Sequence, residues 1–213
     1  MQHPFIMAHI PQQPFNEQQL ALHDYLLILQ PHEDLYNKIM AIKQSFSAKY
    51  DNPMAMYLKP HLTLLRFKQY DMTEKKIVQK LESIAATNAP FKVDLKDFGS
   101  FPTHTIYVNV ETKNQLVALV KALKQAQHLM KVDNDNKPHF ITEPHISVAR
   151  KLLPWQYEKA WLEYSNTPFS ASFMANELLL LKRKADSKGY KIAATLPLLN
   201  KQPAVTIQAS LFY

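Results

Sequence analysis

Cysteine is absent from the 213-residue chain, and glycine occurs only twice. Without cysteine the protein has no disulfide, no thiolate nucleophile and no Cys-ligated zinc site. Two glycines are too few for the glycine-rich phosphate loops of Rossmann and P-loop proteins. A phosphate would have to be held by side chains, and a metal ion by histidines and carboxylates.

Long apolar stretches are missing as well. The run of four leucines at Leu178–Leu181 is far too short to cross a bilayer, and so is every other aliphatic run of the chain. Residues 1–22 lack the basic segment and the continuous apolar segment of a secretory signal, so we interpret them as an N-terminal arm. These absences predict a cytoplasmic protein with no membrane partner.

The charge balance is basic, with a formal net charge of +7 and a pI near 9.4. A positive field attracts anions, which favours nucleic acid or nucleotides as partners. Hydrophobic residues make up 46% of the chain and charged residues 20%, as in ordinary globular proteins. We expect a globular monomer whose ligand is anionic.

Strands and helices are interspersed along the chain. Short apolar or alternating runs predict strands over residues 25–29, 57–67, 91–95, 105–110, 139–149, 169–173, 177–182 and 191–196. Apolar residues at helical spacing predict helices over residues 33–50, 74–85 with Thr73 as the N-cap, 113–130 and 154–164. Gly99 and Pro102 predict a turn between the third and fourth strands.

Two segments, Pro60–Arg66 and Pro144–Arg150, carry the same seven-residue frame. Each consists of proline, histidine, an aliphatic residue, a hydroxyl residue, two apolar residues and arginine. A single His-x-Ser/Thr arises easily in a chain with nine histidines, but the full frame does not easily arise twice. The repeat suggests two equivalent strands related by an internal pseudo-twofold.

Alternation along a strand places the polar residues of each frame together. His61 and Thr63 should lie on one face of the first strand, with the aliphatic residues turned to the core. His145 and Ser147 should do the same on the second strand. If the two strands face one groove, that groove acquires two imidazoles and two hydroxyls.

This set of groups suits phosphodiester chemistry. Attack on phosphorus needs a base for the nucleophile and an acid for the leaving oxygen, and two histidines supply both near neutral pH. The hydroxyls can donate hydrogen bonds to the non-bridging oxygens. The structural alternative is that each histidine ends a strand and each hydroxyl satisfies a backbone group. Two copies in one frame favour the catalytic interpretation.

Other polar and aromatic residues near the frames are candidates for lesser roles. Arg66 and Arg150 follow their histidines by an odd offset, so only a bulge would turn them into the groove. We predict Arg150 as a phosphate contact and keep Arg66 as a weaker candidate. Three aromatic residues suit either base stacking or the core: Phe67, Tyr107 and Tyr190. His104 and His139 have no matched partner, which predicts structural or solvent-facing positions.

The chain resembles the two-histidine phosphoesterase superfamily, which includes the 2',5' RNA ligase-like and RNA cyclic phosphodiesterase proteins. The resemblance covers Tyr25 to Leu198. It rests on the two histidine motifs, on Phe98–Pro102 between them, and on Gly189 and Tyr190 before a final strand. The second motif has serine where many members have threonine, a change that keeps the hydroxyl.

The resemblance implies an α+β, bilobal fold in which two antiparallel sheets face a central groove, with helices outside and pseudo-twofold symmetry. It places the domain over residues 23–199 and leaves residues 200–213 as a C-terminal tail. The matching residues would form a catalytic tetrad of His61, Thr63, His145 and Ser147. No cofactor and no metal ion are implied.

The implied activity is hydrolysis of a 2',3'-cyclic phosphate or a 2',5' linkage in RNA or a nucleotide, with RNA ligation as the reverse reaction. The sequence does not choose among these substrates. A non-catalytic RNA- or nucleotide-binding module on the same fold is one alternative. A metal-dependent hydrolase using Asp51, Asp133 or Asp135 is another, although the sequence has no His-x-x-x-His or carboxylate-rich cluster.

Overall fold

The computed structural model describes residues 21–57, 59–184, 187 and 189–202. Nine strands, six α-helices and two short 3₁₀ turns lie along these residues. The strands are β1 (Leu22–Leu29), β2 (Leu62–Tyr70), β3 (Phe91–Phe101), β4 (Thr105–Val110), β5 (His139–Phe140), β6 (Ile146–Arg150), β7 (Ser170–Ala175), β8 (Glu177–Lys184) and β9 (Lys191–Pro197). The α-helices are α1 (Glu33–Lys49), α2 (Met54–Tyr57), α3 (Glu74–Thr87), α4 (Lys113–Leu123), α5 (Gln127–Met130) and α6 (Pro154–Tyr164). The 3₁₀ turns are Asp71–Thr73 and Lys124–Ala126.

The strands form two sheets. The five-stranded sheet has the order β5-β2-β1-β8-β9, and the four-stranded sheet has the order β6-β4-β3-β7. Every pair of neighbouring strands is antiparallel. The predicted α+β fold with two antiparallel sheets is confirmed.

The two sheets repeat one connection. In the five-stranded sheet, β1 leads through α1 to β2, which returns antiparallel beside β1. In the four-stranded sheet, β4 leads through α4 to β6, which returns antiparallel beside β4. A histidine motif begins each returning strand, so the pseudo-twofold relates β1-α1-β2 to β4-α4-β6.

Helices from each half lie against the sheet of the other half. Helix α1, which follows β1, packs on β6 and β7 of the four-stranded sheet. Helix α5, which follows β4, packs on β2 of the five-stranded sheet, where Gln69 Nε2 donates to the carbonyl oxygen of Leu129 at 2.8 Å. Buried apolar side chains from both sheets and from these helices form one continuous core. The two halves therefore do not pack as independent units.

Two predicted strands were wrong in their extent. In segment 57–67 the strand starts only at Leu62, because Tyr57 is the last residue of α2. At the start of this helix, Asn52 Oδ1 accepts from the backbone N–H of Ala55 at 3.0 Å. Segment 139–149 is divided between the two sheets, since β5 pairs with β2 and β6 pairs with β4. Pro144 lies between β5 and β6, and proline cannot donate to a strand ladder.

Two further expectations changed in detail. The predicted helix 113–130 is divided by a 3₁₀ turn, although its apolar stripe continues at Ala126 and Met130, which are fully buried. Of the two residues that predicted the turn, Gly99 lies inside β3, whereas Pro102 begins the turn at Pro102–His104 between β3 and β4. No helix in the described ranges is long and apolar enough to span a membrane.

Candidate active site

The two histidines of the repeated frame lie at equivalent places, one residue before β2 and one residue before β6, and not within the strands as predicted. His61 Nδ1 lies 2.7 Å from the carbonyl oxygen of Lys59, and His145 Nδ1 lies 2.9 Å from that of Glu143. A carbonyl oxygen only accepts, so Nδ1 is the protonated donor in both rings. Each neutral ring therefore has an unprotonated Nε2, which can act as a base or, once protonated, as an acid.

The hydroxyl residues of the frames alternate with the core. Thr63 and Ser147 are half-buried. The aliphatic residues on either side of each are fully buried: Leu62, Leu64, Ile146 and Val148. Because alternate residues of a strand share a face, each hydroxyl lies on the same side as the histidine two positions earlier.

Each frame contains a β-bulge at the same position. The pairing of β2 with β1 skips Leu64, and the pairing of β6 with β4 skips Val148. An extra residue shifts the alternation of the residues that follow it. Arg66 and Arg150 are thereby returned to the face of the histidines, and both are exposed whereas the residue before each is fully buried. Because of the odd offset, only a bulge could turn either arginine into the groove, and both strands contain that bulge.

The carbonyl oxygens at the two bulges accept hydrogen bonds from different donors. The carbonyl oxygen of Leu64 accepts from the backbone N–H of Ile141 at 2.9 Å. In the second frame, Lys43 Nζ from α1 donates to the carbonyl oxygens of Ser147 and Val148, at 2.9 and 2.8 Å. Lys43 is fully buried, and burial lowers its pKa to about 7. A buried amine that titrates near neutral pH thus contacts the backbone of the second motif.

Electrostatic interactions link the two histidines. The pKa of His61 lies below its ordinary value, first because the ring is buried. Three positive charges lower it further, those of Arg150, Lys43 and His145. Burial and Arg150 also lower the pKa of His145, while the carboxylate of Glu143 opposes the change. Arg150 therefore acts on both rings, as expected of groups that share one groove.

Two aromatic rings of the four-stranded sheet hold His145. The centroid of the imidazole lies 4.6 Å from that of Tyr107 and 5.0 Å from that of Phe101, the latter edge-on. Tyr107 fits here because its partner across the ladder is Gly99, where a Cβ would lie 2.5 Å from the tyrosine ring. Tyr107, a candidate for base stacking or the core, therefore packs against a motif histidine.

A family model for the 2'-5' RNA ligase superfamily matches residues 31–187, which include both histidine motifs. This chain belongs to the 2'-5' RNA ligase superfamily. The resemblance to two-histidine phosphoesterases is confirmed. No curated protein sequence matches the chain.

Solved structures share the fold of this superfamily member at low sequence identity. The Thermus thermophilus protein TT0787 has a TM-score of 0.62 and 18% identity, with 84% of this chain and 100% of that chain covered. E. coli LigT complexed with 3'-AMP has a TM-score of 0.59 and 18% identity, with 83% and 98% covered. E. coli LigT complexed with NADP+ has a TM-score of 0.56 and 18% identity, with 84% and 99% covered. Likeness at this level of identity shows the fold.

Two cavities border the second frame, one at His145 and one at Arg150. One cavity has a volume of about 870 Å³ and is lined by residues that include His145, Tyr107, Asn109, Lys113 and Thr142. Another of about 410 Å³ begins at Arg150, with Met54, His104, Thr105 and Lys151 around it. Space for part of a ligand therefore lies beside His145 and beside Arg150.

Several candidates from the sequence lie away from the histidine pair. Phe67 is a core residue that stacks on Tyr25, with ring centroids 4.9 Å apart and planes 6° from parallel. His104 and His139 are exposed, which confirms their predicted solvent-facing positions. Asp133 Oδ1 accepts from backbone N–H groups of its own loop at 2.8 and 2.7 Å. Among the described residues, no three histidine or carboxylate side chains converge as metal ligands.

Lys43 is the site residue that the sequence analysis missed. The sequence does contain a signal for Lys43, namely its spacing. Lys43 lies four residues after Ile39 and three before Phe46, which places it on the buried stripe of α1. A lysine on an apolar stripe is rarely fully buried unless its ammonium has partners. The stripe alone, however, does not identify backbone carbonyl oxygens in the other half of the chain as those partners.

Proposed function

We propose that the protein is a metal-independent phosphodiesterase for 2',3'-cyclic phosphate or 2',5'-linked RNA and nucleotides, with His61 and His145 as its acid and base. One observation carries the proposal: both imidazoles bind a backbone carbonyl oxygen through Nδ1, which leaves both Nε2 atoms for a ligand. One Nε2 can take a proton from the nucleophile while the other gives a proton to the leaving oxygen. The symmetry of these contacts does not itself assign the two roles.

The remaining polar groups of the frames are proposed to hold the phosphate. Thr63 and Ser147 would donate their hydroxyls to non-bridging oxygens, and Arg150 would offset the phosphate charge. The alternation of the strands and the bulge before Arg150 support these roles, because both favour side chains on the same side as the histidines. Donors that are fixed before the reaction stabilise charge as it develops on the phosphoryl oxygens.

Hydrolysis then consists of one displacement at phosphorus. Water attacks as one histidine takes its proton, the bond from phosphorus to one ribose oxygen breaks, and the other histidine protonates that oxygen. A 2',3'-cyclic phosphate gives a terminal monoester in this way, and a 2',5' linkage gives two ends. If the 5' hydroxyl of a second RNA end replaces water in the attack on a 2',3'-cyclic phosphate, the bond from phosphorus to the 3' oxygen breaks, that oxygen is protonated, and a 2',5' linkage joins the two ends.

Ligands of similar proteins support a nucleotide substrate. E. coli LigT is described in complexes with 3'-AMP and with NADP+, which are both nucleotides with phosphate groups. Opening of adenosine 2',3'-cyclic phosphate yields either 2'-AMP or 3'-AMP, so 3'-AMP is chemically a product of the proposed reaction. The net charge of +7 favours the same class of ligand.

The alternative is a non-catalytic RNA- or nucleotide-binding module on the same fold. The basic charge alone would serve such a module, since lysine and arginine suffice to bind phosphates. A protein that only binds phosphates does not need two matched imidazoles whose Nε2 atoms are free. The monomeric state, the cytoplasmic location and the domain limits at residues 23 and 199 stay predictions from the sequence.

The test is incubation with nucleoside 2',3'-cyclic phosphates and with 2',5'- and 3',5'-linked oligonucleotides, with and without EDTA, and product identification by mass spectrometry. We expect cleavage that survives the chelator, and the position of the terminal phosphate identifies the bond that breaks. The variant His128→Ala, on the exposed face of α5, serves as a histidine control. A protein that binds these nucleotides but cleaves none of them would be the binding module.

A further inference from the structure

The positions of the arginines in the two frames support an inference that rests on the proposed function and extends it. Both bulges return their arginine to the histidine side. Arg150 has a proposed role at the scissile phosphate, whereas Arg66 has no role yet. Arg66 nevertheless occupies the equivalent place in the first frame and is exposed.

The position of Arg66 along β2 separates it from His61, and the charge effects agree with that separation. Partial desolvation and then the charge of Arg66 lower the pKa of Arg150, so the two guanidinium groups are close enough to repel each other. Arg150 also lowers the pKa of both histidines, but Arg66 is not among the charges that act on either ring. Arg66 follows His61 by five residues along β2, roughly 15 Å at about 3.3 Å per residue, so it can bind an anion further along the groove than the reacting phosphate.

No carboxylate offsets this pair of arginines within the described ranges. Asp24, on the neighbouring strand β1, is bound to Arg183 at 2.7 Å. Neither Arg66 nor Arg150 forms an ion pair with a described residue. Two guanidinium groups on one groove repel each other, and an anion between them converts the repulsion into attraction.

Tyr190 adds a neutral donor beside the two arginines. Its ring centroid lies 4.7 Å from the guanidinium carbon of Arg183. Burial raises the pKa of its phenol, and the charges that act on the phenol are, from the largest effect to the smallest, those of Arg183, Asp24, Arg150 and Arg66. The hydroxyl therefore keeps its proton at neutral pH and can donate a hydrogen bond to an anion.

We propose that Arg66, Arg150 and Tyr190 form a second anion subsite, which binds a phosphate of the substrate other than the scissile one. Guanidinium groups suit this role because their paired N–H donors match phosphate oxygens. The ligand class is a nucleotide with two phosphates, one at the 2' or 3' oxygen and one at the 5' oxygen. An RNA 3' end has this arrangement, since the 5' oxygen of its last nucleoside belongs to the preceding phosphodiester.

The test compares the binding of adenosine 3'-monophosphate with that of adenosine 3',5'-bisphosphate by isothermal titration calorimetry. The wild type should bind the bisphosphate roughly tenfold more tightly, the effect of one charge-assisted hydrogen bond. Arg66→Gln should lose most of this preference. Lys76→Gln removes the same charge from the exposed face of α3 and should keep the preference. Circular dichroism and melting temperatures check that both variants are folded.

Three results would overturn the subsite: equal affinities in the wild type, an unchanged preference in Arg66→Gln, or an equal loss in Lys76→Gln. Failure of both nucleotides to bind would also contradict it. A dinucleotide 3'-phosphate distinguishes an internal phosphodiester from a terminal phosphate as the bound group, and tighter binding of either ligand supports the subsite. Because no turnover is needed, a protein that shows the preference but cleaves nothing supports the subsite and contradicts the proposed enzyme.

Discussion

The two histidine motifs reach the same geometry with different supports. The bulge of the first motif lies in β2, an inner strand, where the backbone N–H of Ile141 satisfies the carbonyl oxygen of Leu64. The second bulge lies in β6, an edge strand, and its carbonyl oxygens depend on the buried amine of Lys43. A backbone donor does not titrate near neutral pH, but an amine with a pKa of about 7 does. The second motif is therefore the half of the site whose support responds to pH.

The largest effect should come from the histidines, where the two motifs are expected to be equivalent. His61→Ala and His145→Ala each remove a proton-transfer group, so each should lower turnover by about 10² to 10⁴. Both residues are half-buried before their strands, and we expect the melting temperature to change little. Initial rates on a substrate that the wild type cleaves provide the measurement. A near-normal rate in either variant would contradict catalysis by the pair.

Replacement of Lys43 should displace the second motif and leave the backbone of the first one in place, although the pKa of His61 should rise because a positive charge that lowers it is removed. Lys43→Met keeps an apolar stem of similar length but removes the donor to the bulge of β6. Misplacement of Ser147 and Arg150 by a fraction of an ångström should lower kcat by about tenfold or more. Lys49→Met, in the same helix but on an exposed ion pair, should stay close to wild type. Equal rates for both variants would show that the bulge does not need Lys43.

The same lysine should make stability depend on pH. Its pKa is about 7 in the folded protein, against about 10.4 in an unfolded chain. Between these values the unfolded chain binds more protons than the folded protein, so the unfolding free energy should rise with pH, by at most about 1.4 kcal/mol per unit. Denaturation of the wild type and Lys43→Met at pH 7, 8 and 9 isolates this contribution. A constant difference between the two proteins across the series would exclude titration of Lys43.

The two histidine motifs and the alternation within them could be predicted from the sequence because a strand motif is a local pattern. The frame at Pro60–Arg66 needs only neighbouring residues, and so does the alternation that places Thr63 beside His61. The bulges could not be predicted, since a bulge is a property of the pairing with another strand. The prediction of one continuous strand over residues 139–149 was wrong for a related reason, because periodicity does not tell which of two sheets a strand joins. The contact of Lys43 with Ser147 joins the two halves of the chain, and no local pattern indicates it.

The smallest effect should come from the residue two positions before each histidine, where the motifs differ in sign of charge. Glu143 precedes His145 and Lys59 precedes His61. The carboxylate of Glu143 raises the pKa of His145, against burial and Arg150, whereas His61 is opposed by three positive charges. His145 should therefore keep its proton to higher pH and act as the acid, with His61 as the base.

This assignment is testable through the pH dependence of kcat/KM, which reports the free enzyme. Both pKa values lie below the ordinary value of about 6.5, so the maximum of the bell-shaped profile should lie on the acidic side of that value. Glu143→Gln removes the charge that favours the imidazolium of His145, and the alkaline limb should move to lower pH. Lys59→Gln should leave both limbs in place, since the ammonium of Lys59 is not among the charges that lower the pKa of His61. The limbs belong to a coupled pair, so the shift between variants, and not either absolute value, identifies the acid. Movement of the acidic limb alone in Glu143→Gln would reverse the assignment and make His145 the base.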